Sequence, residues 1–336
     1  MVKIAVLGAG VVGLSTAINI KKNLPEVRVT VIADKFNEET TSYGSGGLFR
    51  PTSEYIPGVP KDLLRKWVAD SWKWFSNMTL TDLAAKTGNQ LVAGYYFTNT
   101  ELTDPLYGEF VYTFSKMSDQ ELQRMKMNQK YKHGYHVTTV ITCCKIYIPW
   151  LTNHFLEYGG VIERNTIEDL NELVGQYDVV VNCTGLGSRT LFRDNEMYSV
   201  RGHLIRVRAD WIKYWMYTDD GAYIIPNGGI ITIGGTRQKD DYRLNIDAKD
   251  SKDVMERCLK LWPPLKGCTV KEEWVGLRPT RTRVRVESEI MKLDKGQLKV
   301  VHNYGHGANG ISLSWGTSLH AAKLVKDMLA NGRAHL

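Results

Sequence analysis

The sequence of 336 residues predicts an α/β fold. Three segments carry this prediction: an apolar strand, glycine turn and helix at residues 3–34, a second apolar strand at 178–188, and a glycine-rich loop that leads into a helix at 302–329. Strand-length apolar runs that alternate with helical stretches are typical of a parallel sheet covered by helices. The hydrophobic fraction of 43% and the charged fraction of 24% are ordinary for a globular chain with a substantial core.

The N-terminal segment has the arrangement that binds a dinucleotide. Residues 3–7 form a short apolar run, 8–13 read GAGVVG, 14–22 have apolar residues at helical spacing, and a β-rich run at 27–32 is followed by Asp34. A GxGxxG string alone is weak, but here strand, turn, helix, strand and acidic residue stand in register. The segment therefore predicts a Rossmann-like unit.

Each glycine of this turn meets a physical need. Gly8 permits the tight turn, Gly10 lets a pyrophosphate approach the backbone, and Gly13 lets the helix pack closely on the strand. Free N–H groups at the helix N-terminus attract the phosphates. Asp34 or a neighbour can accept hydrogen bonds from the ribose hydroxyls. The alternative is that the glycines serve tight packing alone.

The first turn does not distinguish NAD from FAD, but two later segments favour FAD. The strand at 178–188, DVVVNCTGLGS, ends in a glycine turn, as in flavoproteins whose sheet is completed late in the chain. The loop at 302–310, HNYGHGANG, leads into a helix within 311–329. Their junction could place N–H donors near a flavin ring, where reduction deposits negative charge. A surface turn before a C-terminal helix is the alternative.

Charge and cysteine content argue against several function classes. The net charge of +7 comes from 43 basic and 36 acidic residues spread along the chain, without the dense basic run of a nucleic-acid-binding tail. The five cysteines include no CxxC pair, so we expect no disulfide framework, no metal site and a reducing compartment. No stretch approaches the roughly 20 apolar residues of a membrane span. Neither nucleic acid nor membrane is an expected partner.

Ten longer sequence strings, spread over nearly the whole chain, match the pattern of a single family. They are "VLGAGVVGLSTA" (6–17), "DKF" (34–36), "TTS" (40–42), "YIPWL" (147–151), "VVVNCTGLGSR" (179–189), "VRGHLIRV" (200–207), "YIIP" (223–226), "IGGTRQK" (233–239), "VGLRPTR" (275–281) and "VHNYGHGANGIS" (301–312). On these residues the chain resembles the D-amino-acid oxidase family, and most closely its D-aspartate branch.

The resemblance implies an FAD-dependent oxidase with a split architecture. A Rossmann-like FAD-binding domain would be interleaved with a substrate domain built on a large twisted mixed sheet. Residues 1–50, 133–190 and 276–336 would form the FAD-binding domain, and residues 51–132 and 191–275 would form the substrate domain.

The resemblance also implies a reaction. Acidic D-amino acids (D-aspartate, D-glutamate, N-methyl-D-aspartate) would be oxidatively deaminated to the 2-oxo acid, ammonia and hydrogen peroxide. A hydride would pass from Cα to the flavin N5, and O2 would reoxidise the flavin. The alternatives are an oxidase of neutral or basic D-amino acids, an NAD-dependent dehydrogenase, and a flavin-binding protein without catalysis.

Three side chains match substrate-binding positions of the family. Arg278 matches the arginine that pairs with the α-carboxylate, which a guanidinium can clamp through two hydrogen bonds. Tyr223 matches a tyrosine that reaches the same carboxylate, with a plain strand aromatic as the alternative. Arg237 favours an acidic substrate, because a second buried cation would pair with a side-chain carboxylate. An exposed arginine at a strand end is the alternative for Arg237.

Two positions depart from the family pattern. The segment "WIKYWMYTDDGAYIIP" is one residue shorter, so the position of a further substrate-binding arginine falls on or near Tyr217, and that cation is missing. A tyrosine of the family's lid is the closer comparison, which makes Tyr217 a candidate substrate contact. Arg50 follows Gly46-Gly47-Leu48, and we predict that it reaches the pocket and partly replaces the missing cation.

The resemblance assigns FAD contacts to both glycine-rich regions. The predicted contacts are Gly8, Ala9, Val11, Val12, Asp34, Lys35, Thr41, Ser42, Gly46, Leu48, Val161, Gly307, Gly310, Ile311 and Ser312. His302 and His306 lack a third ligand at suitable spacing, so a role in loop structure is favoured over a metal. Arg281, Arg283 and Arg285 alternate with uncharged residues, which predicts a solvated strand face of mixed charge, but for Arg281 an approach to the flavin is the alternative.

The chain ends in Ala334-His335-Leu336, a variant of the S-K-L address. A peroxide-generating oxidase belongs where peroxide is destroyed, so we expect the peroxisomal import receptor to read this tripeptide. The peroxisomal matrix is the predicted location, or the cytoplasm if the tripeptide is not read. Both a monomer and a homo-oligomer are compatible with this sequence.

Overall fold

The computed structural model of the chain describes residues 1–53, 56, 58–103 and 105–333, with side chains as far as residue 330. Ala334, His335 and Leu336 of the predicted targeting tripeptide lie outside the described residues. The helices are α1 (Val11–Asn23), α2 (Lys61–Thr79), α3 (Leu83–Thr87), α4 (Asp119–Arg124), α5 (Cys144–Glu157), α6 (Ser188–Leu191), α7 (Ala248–Leu261) and α8 (Gly310–Arg333). The strands are β1 (Lys3–Leu7), β2 (Arg28–Ala33), β3 (Asn89–Thr98), β4 (Thr113–Lys116), β5 (His133–Thr142), β6 (Val161–Arg164), β7 (Val179–Asn182), β8 (Tyr198–Arg208), β9 (Trp215–Thr218), β10 (Tyr223–Asn227), β11 (Ile230–Gly234), β12 (Gln238–Lys239), β13 (Thr269–Leu293) and β14 (Gly296–His306).

One half of the sheet is the predicted dinucleotide-binding unit. Strands β14, β7, β1, β2 and β6 lie side by side in that order, and each pair is parallel. The central strand β1 is an apolar run because both of its faces are covered, and Ile4, Ala5 and Val6 are fully buried. Helices α1 and α8 pack together over one face. The predicted α/β class with a large mixed sheet is confirmed.

The other half of the sheet is mostly antiparallel. Its strands follow the order β4, β5, β3, β9, β10, β11, β8 and β13, and the β3–β9 pair is parallel. Helix α7 covers it with Val254, Cys258 and Leu261, which join a separate core cluster. Among the described residues, no helix has the length and apolar character needed to cross a bilayer.

Strand β13 connects the two halves of the sheet. Its residues 269–280 pair with β8, and its residues 285–293 pair with β14, with a shift of register between Thr280 and Arg285. The predicted boundary after residue 275 falls inside this strand. The boundary after residue 132 falls just before β5, which pairs with β3 and β4. The division into five segments stays a prediction.

The arginines of β13 do not form one solvated face, so that prediction is wrong for Arg285, and Arg281, the open case, is mostly buried as well. Arg283 is exposed, but the side chains of Arg281 and Arg285 are only 14% and 17% exposed. Arg281 pairs with Asp194 at 2.8 Å, and Arg285 donates to the Tyr304 hydroxyl at 3.0 Å. The shift of register interrupts the regular alternation of side chains that the prediction assumed.

Candidate active site

A cleft opens where β9, β10, β13 and the start of α8 meet. Its volume is about 760 Å³, including the open mouth. The five predicted substrate-binding side chains all line it, and they come from three separate segments, around residue 50, at 217–237 and around residue 278. The lining residues are Ser45, Gly46, Gly47, Leu48, Arg50, Thr52, Tyr217, Gly221, Tyr223, Ile225, Gly235, Thr236, Arg237, Arg278, Ala308, Asn309, Ile311 and Ser312.

Arg278 is held against the wall of the cleft by backbone carbonyls. It lies on β13, and its Nη1 donates to the oxygen of Thr236 at 3.1 Å and to that of Val200 at 3.4 Å. Gly202 on the neighbouring strand makes room for the guanidinium, because a Cβ there would lie 2.4 Å from Nη2. Arg278 thus provides the cation, and Gly202 leaves the space in which its guanidinium is held.

Tyr223 stands on β10 beside Arg278 and is 9% exposed. Its ring lies over Gly234 and Gly235, where added Cβ atoms would come within 2.3 Å and 2.7 Å of the hydroxyl oxygen. Burial raises the pKa of Tyr223 to about 12, against the opposing charge of Arg278. The phenol therefore stays protonated at neutral pH and can donate a hydrogen bond to an anion.

Arg237 follows β11 at the edge of the cleft. Its Nη2 lies 3.4 Å from the hydroxyl oxygen of Tyr217. The residue is exposed, so the expectation of a second buried cation is wrong for Arg237 in this respect. The position follows from the chain path, because β11 ends at Gly234 and residues 235–237 run along the rim before β12 begins.

Arg50 enters the cleft from a segment that is anchored to β5. The Phe49 amide donates to the oxygen of Val140 at 2.9 Å, which fixes the backbone beside Arg50. The Cζ atom of Arg50 lies 4.1 Å from the ring centre of Tyr217 and 4.7 Å from that of Tyr96. These are cation–π distances. The structure thus brings a third cation to the site, as the sequence predicted.

The cleft is strongly cationic. Arg50, Arg237 and Arg278 line it, and among the described lining residues none is Asp, Glu or His. Burial by itself would raise the pKa of Tyr217, but these three arginines outweigh burial and hold it below its usual value. The lowered pKa means that the surroundings favour the ionised form of the phenol. The cleft therefore stabilises negative charge.

The β1–α1 turn forms the predicted dinucleotide cradle at the carboxyl edge of the parallel strands. Gly8 has a φ of +102°, and a Cβ on Gly13 would lie 1.9 Å from the Gly8 oxygen, so a side chain is excluded at either position. Ser42 Oγ accepts from the Val11 amide at 3.0 Å at the start of α1. No acidic residue stands in the first turn of α1 to compete with a phosphate.

Two buried polar groups test whether the cleft fits a flavin. The Asn309 Oδ1 atom accepts from the Thr52 amide at 3.4 Å, whereas Asn309 Nδ2 and Thr52 Oγ1 are buried without a hydrogen-bond partner among the described residues. Buried polar atoms of this kind need a partner. The polar edge of an isoalloxazine ring would supply one, so the residues fit FAD. Sequence reasoning missed both residues, although each lies within or beside a glycine-rich string.

The other predicted FAD contacts fall into three places. Gly46, Leu48, Ile311 and Ser312 line the cleft, with Gly307 and Gly310 in the adjoining turn and helix start. Asp34 and Lys35 are exposed directly after β2, and Thr41 is exposed beside Ser42. Gly8, Ala9, Val11 and Val12 form the cradle. These placements agree with a dinucleotide that runs from the carboxyl edge into the cleft.

Val161 is not brought to the carboxyl edge. It begins β6, opposite Thr30 of β2, whereas the carboxyl end of β6 carries Arg164. Because dinucleotides bind outside the carboxyl ends of parallel strands, the end of β6 is better placed than Val161 for an adenine contact. Arg164 Nη1 donates to the Asp34 oxygen at 2.7 Å, which ties β6 to the predicted ribose site.

The two histidines of the second loop region lie outside the residues that line the cleft. His302 Nε2 is 2.7 Å from Glu289 Oε1, and His306 Nε2 is 3.0 Å from Thr317 Oγ1 of α8. Each histidine side chain therefore links its own strand, β14, to a neighbouring element: His302 to β13 and His306 to α8. Across the described part of the chain, no three His, Cys, Asp or Glu residues are grouped to hold a metal ion.

A dinucleotide cradle at the carboxyl edge of parallel strands, combined with a cleft that holds unpartnered polar groups for a ring, is the arrangement of a flavin-dependent oxidoreductase. Residues 3–324 match the family described as FAD dependent oxidoreductase, and the chain belongs to that family. FAD is its cofactor, as predicted. The protein is therefore an FAD-dependent enzyme.

Two named relatives and one solved structure resemble this chain over most of its length. Human D-aspartate oxidase is 40% identical over 329 residues, which cover 97% of this chain and 95% of the human one. Caenorhabditis elegans D-aspartate oxidase 1 is 35% identical, with 98% and 99% covered. Among solved structures, glycine oxidase from Geobacillus kaustophilus has a TM-score of 0.80 at 17% identity, with 97% of this chain and 95% of that chain covered. That likeness supports the fold alone.

Proposed function

We propose that this enzyme oxidatively deaminates acidic D-amino acids to the 2-oxo acid, ammonia and hydrogen peroxide. One observation carries the proposal: three arginines line a single cleft in which no described lining residue is an acid. Such a site disfavours cationic ligands and leaves excess positive charge around a ligand with one carboxylate. A dicarboxylate meets the charge best, which agrees with the names of the relatives.

In this proposal Arg278 and Tyr223 bind the α-carboxylate. The guanidinium of Arg278 is fixed by the oxygens of Thr236 and Val200, so its orientation is set before the substrate arrives. The protonated hydroxyl of Tyr223 adds a second donor. Together they hold one end of the substrate, so that Cα has a defined position in the cleft.

The amino group needs no residue of the chain as a base. None of the described side chains that line the cleft is a carboxylate or an imidazole. We therefore infer that the substrate amine loses its proton to water before it reacts. FAD, when bound, would supply the redox chemistry: oxidation of the Cα–N bond by hydride transfer, with O2 as the final electron acceptor.

A peroxide-release assay with added FAD tests the proposal across D-aspartate, D-glutamate, N-methyl-D-aspartate, D-alanine and D-arginine. The acidic substrates should have the highest kcat/KM values. A higher value for D-alanine or D-arginine than for D-aspartate and D-glutamate would favour the alternative, an oxidase of neutral or basic D-amino acids. The corresponding L-amino acids serve as controls and should release little peroxide.

We also propose that the enzyme resides in the peroxisomal matrix. The support is the C-terminal tripeptide Ala334-His335-Leu336 and the peroxide that the proposed reaction forms. A fluorescent protein fused before residue 1 should enter peroxisomes with the full chain and stay in the cytosol when the tripeptide is deleted. Equal distribution of the two fusions would contradict the proposal.

A further inference from the structure

Arg50 has the surroundings of a receptor for an anion that the chain itself does not provide. Its neighbours are aromatic: the rings of Tyr96 and Tyr217 lie 4.7 Å and 4.1 Å from its Cζ atom. Tyr107, which is 2% exposed, also lies beside Arg50. No ion pair joins Arg50 to a carboxylate within the described residues. Aromatic faces stabilise a guanidinium but do not neutralise it.

The sheet fixes the geometry of this pocket. Tyr96 of β3 and Tyr217 of β9 are directly opposed in a parallel strand pair, so both rings stand on the same face. Their centres lie 6.4 Å apart, and the Arg50 guanidinium lies within reach of both. The backbone before Arg50 is pinned as well, because Thr139 Oγ1 donates to the Phe49 oxygen at 2.8 Å. The cation is thus held at both its backbone and its head group.

Arg237 is less suited to dominate recognition of a second carboxylate. It is exposed at the rim, where water and salt screen a charge, whereas Arg50 is partly buried within the cleft. The two arginines flank Tyr217, whose hydroxyl is 3.4 Å from Arg237 Nη2. Both can therefore meet one anion beside Tyr217, with Arg50 on the less solvated side.

We propose that Arg50, clamped between Tyr96 and Tyr217, is the principal receptor for the side-chain carboxylate of the substrate, and that Arg237 has the smaller share. Tyr96 is then a positioning residue, which acts by holding Arg50. This inference rests on the proposed function, since it presupposes an acidic substrate. It gives Arg50 a larger share than Arg237 in binding the side-chain carboxylate, whereas the family pattern in the sequence assigns that carboxylate to Arg237.

Kinetics of three holoenzyme variants test the ranking. Arg50→Met should raise the KM for D-aspartate by roughly tenfold to a hundredfold, the usual range for a lost charged hydrogen bond. Its KM for D-alanine should not rise, because that substrate has no second carboxylate. Arg237→Met should raise the KM for D-aspartate less. Arg283→Met removes an exposed arginine outside the cleft lining and should match the wild type.

Ligand binding gives a readout that does not depend on turnover. Succinate is aspartate without its amine, and propionate is alanine without its amine. Titration of each into the holoenzyme, followed by the flavin absorbance, should give a lower dissociation constant for succinate in the wild type. Arg50→Met should reduce that preference by about tenfold or more. FAD content and thermal midpoint, measured on every variant, report whether it is folded and loaded.

The positioning role of Tyr96 is tested with two substitutions. Tyr96→Phe keeps the aromatic face and should bind succinate like the wild type. Tyr96→Leu loses that face and should weaken succinate binding roughly threefold or more, with propionate binding unchanged. Equal effects of the two substitutions on succinate would overturn the clamp.

These experiments distinguish a failure of the inference on Arg50 from a failure of the proposed function. If the wild type prefers D-aspartate and succinate but Arg50→Met keeps both preferences, the inference on Arg50 is wrong and the proposed function stands. A larger effect of Arg237→Met than of Arg50→Met has the same meaning. If the wild type prefers D-alanine and propionate, the proposed function itself is wrong.

Discussion

At the scale of single residues, Tyr217 is the point where the three cations of the cleft meet. The arginines hold its pKa below the usual value near 10, so the phenol ionises before an ordinary tyrosine would. A phenolate would pair with Arg50 and Arg237 and compete with the substrate for them. Tyr217 therefore couples the affinity of the cleft for anions to pH.

We expect succinate to bind more weakly to the holoenzyme as the pH rises toward the lowered pKa of Tyr217. Succinate is fully ionised throughout this range, so its own titration does not contribute. In Tyr217→Phe this alkaline weakening should disappear below about pH 10. The measurement is the succinate dissociation constant between about pH 7 and 10 for both proteins. Parallel curves for the two would assign the titration to another group.

A second prediction at the scale of single residues concerns Gly202. A Cβ in Gly202→Ala would lie 2.4 to 2.5 Å from three atoms of the Arg278 guanidinium, which must then move. The KM should rise by roughly tenfold or more for D-aspartate and D-alanine alike, because both present an α-carboxylate. FAD content should not change. Gly267→Ala, whose Cβ would meet only the Trp211 ring at 3.3 Å, is the control and should have normal kinetics.

Three of the substrate residues were predictable because family strings contain them, whereas Arg50 and Tyr217 were predicted from departures from the family pattern. Arg278, Tyr223 and Arg237 each lie in such a string. Tyr96 and Thr52 do not, and the pairing of β3 with β9 is what sets Tyr96 beside Tyr217, the other aromatic neighbour of Arg50. Such pairing joins residues more than a hundred positions apart and leaves no local pattern in the sequence.

At the scale of elements, helix α8 depends on Gly316 to approach α2. A Cβ there would lie 2.1 Å from the Trp67 oxygen, which is a backbone atom and cannot rotate away. The Gly316 amide also donates to Ser71 Oγ at 2.8 Å. The close approach secures the helix whose N-terminal residues Ile311 and Ser312 line the cleft.

We expect Gly316→Ala to lower the free energy of unfolding by about 1–3 kcal/mol, because overpacking outweighs the better helix propensity of alanine. FAD should also bind more weakly, since the start of α8 shifts with the helix. Urea unfolding and FAD titration measure the two effects. Lys326→Ala, on an exposed position of the same helix, should be close to neutral in both. Neutral behaviour of Gly316→Ala would mean that the helices separate without strain.

Local patterns predicted the short elements well and the long strand poorly. The helix predicted from residue 14 begins at Val11, and the strand predicted at 27–32 is β2 (Arg28–Ala33). Each has its own apolar periodicity. In β13 the periodicity is interrupted between Thr280 and Arg285 by a register shift that pairing with β14 imposes. An alternation of arginines therefore predicted a solvated face that holds for Arg283 and fails for Arg285.

At the scale of the whole molecule, the sheet is continuous from β4 to β6. The predicted division into five segments follows the family pattern, but no boundary in the sheet separates the halves, because β13 pairs with β8 and with β14 along its 25 residues. The cleft draws on both halves. Cofactor binding at the parallel strands and substrate binding at the antiparallel strands should therefore share one cooperative structure.

This continuity predicts that the enzyme unfolds in one transition whose midpoint rises with FAD. Each tenfold increase of free FAD above its dissociation constant should add about 1.4 kcal/mol to the free energy of unfolding. Flavin release, far-ultraviolet circular dichroism and calorimetry should report the same midpoint. In Gly13→Ala, where a Cβ would lie 1.9 Å from the Gly8 oxygen, the midpoint should lose its dependence on FAD. Two separate transitions, of which only one moved with FAD, would mean that β13 joins two halves that fold independently.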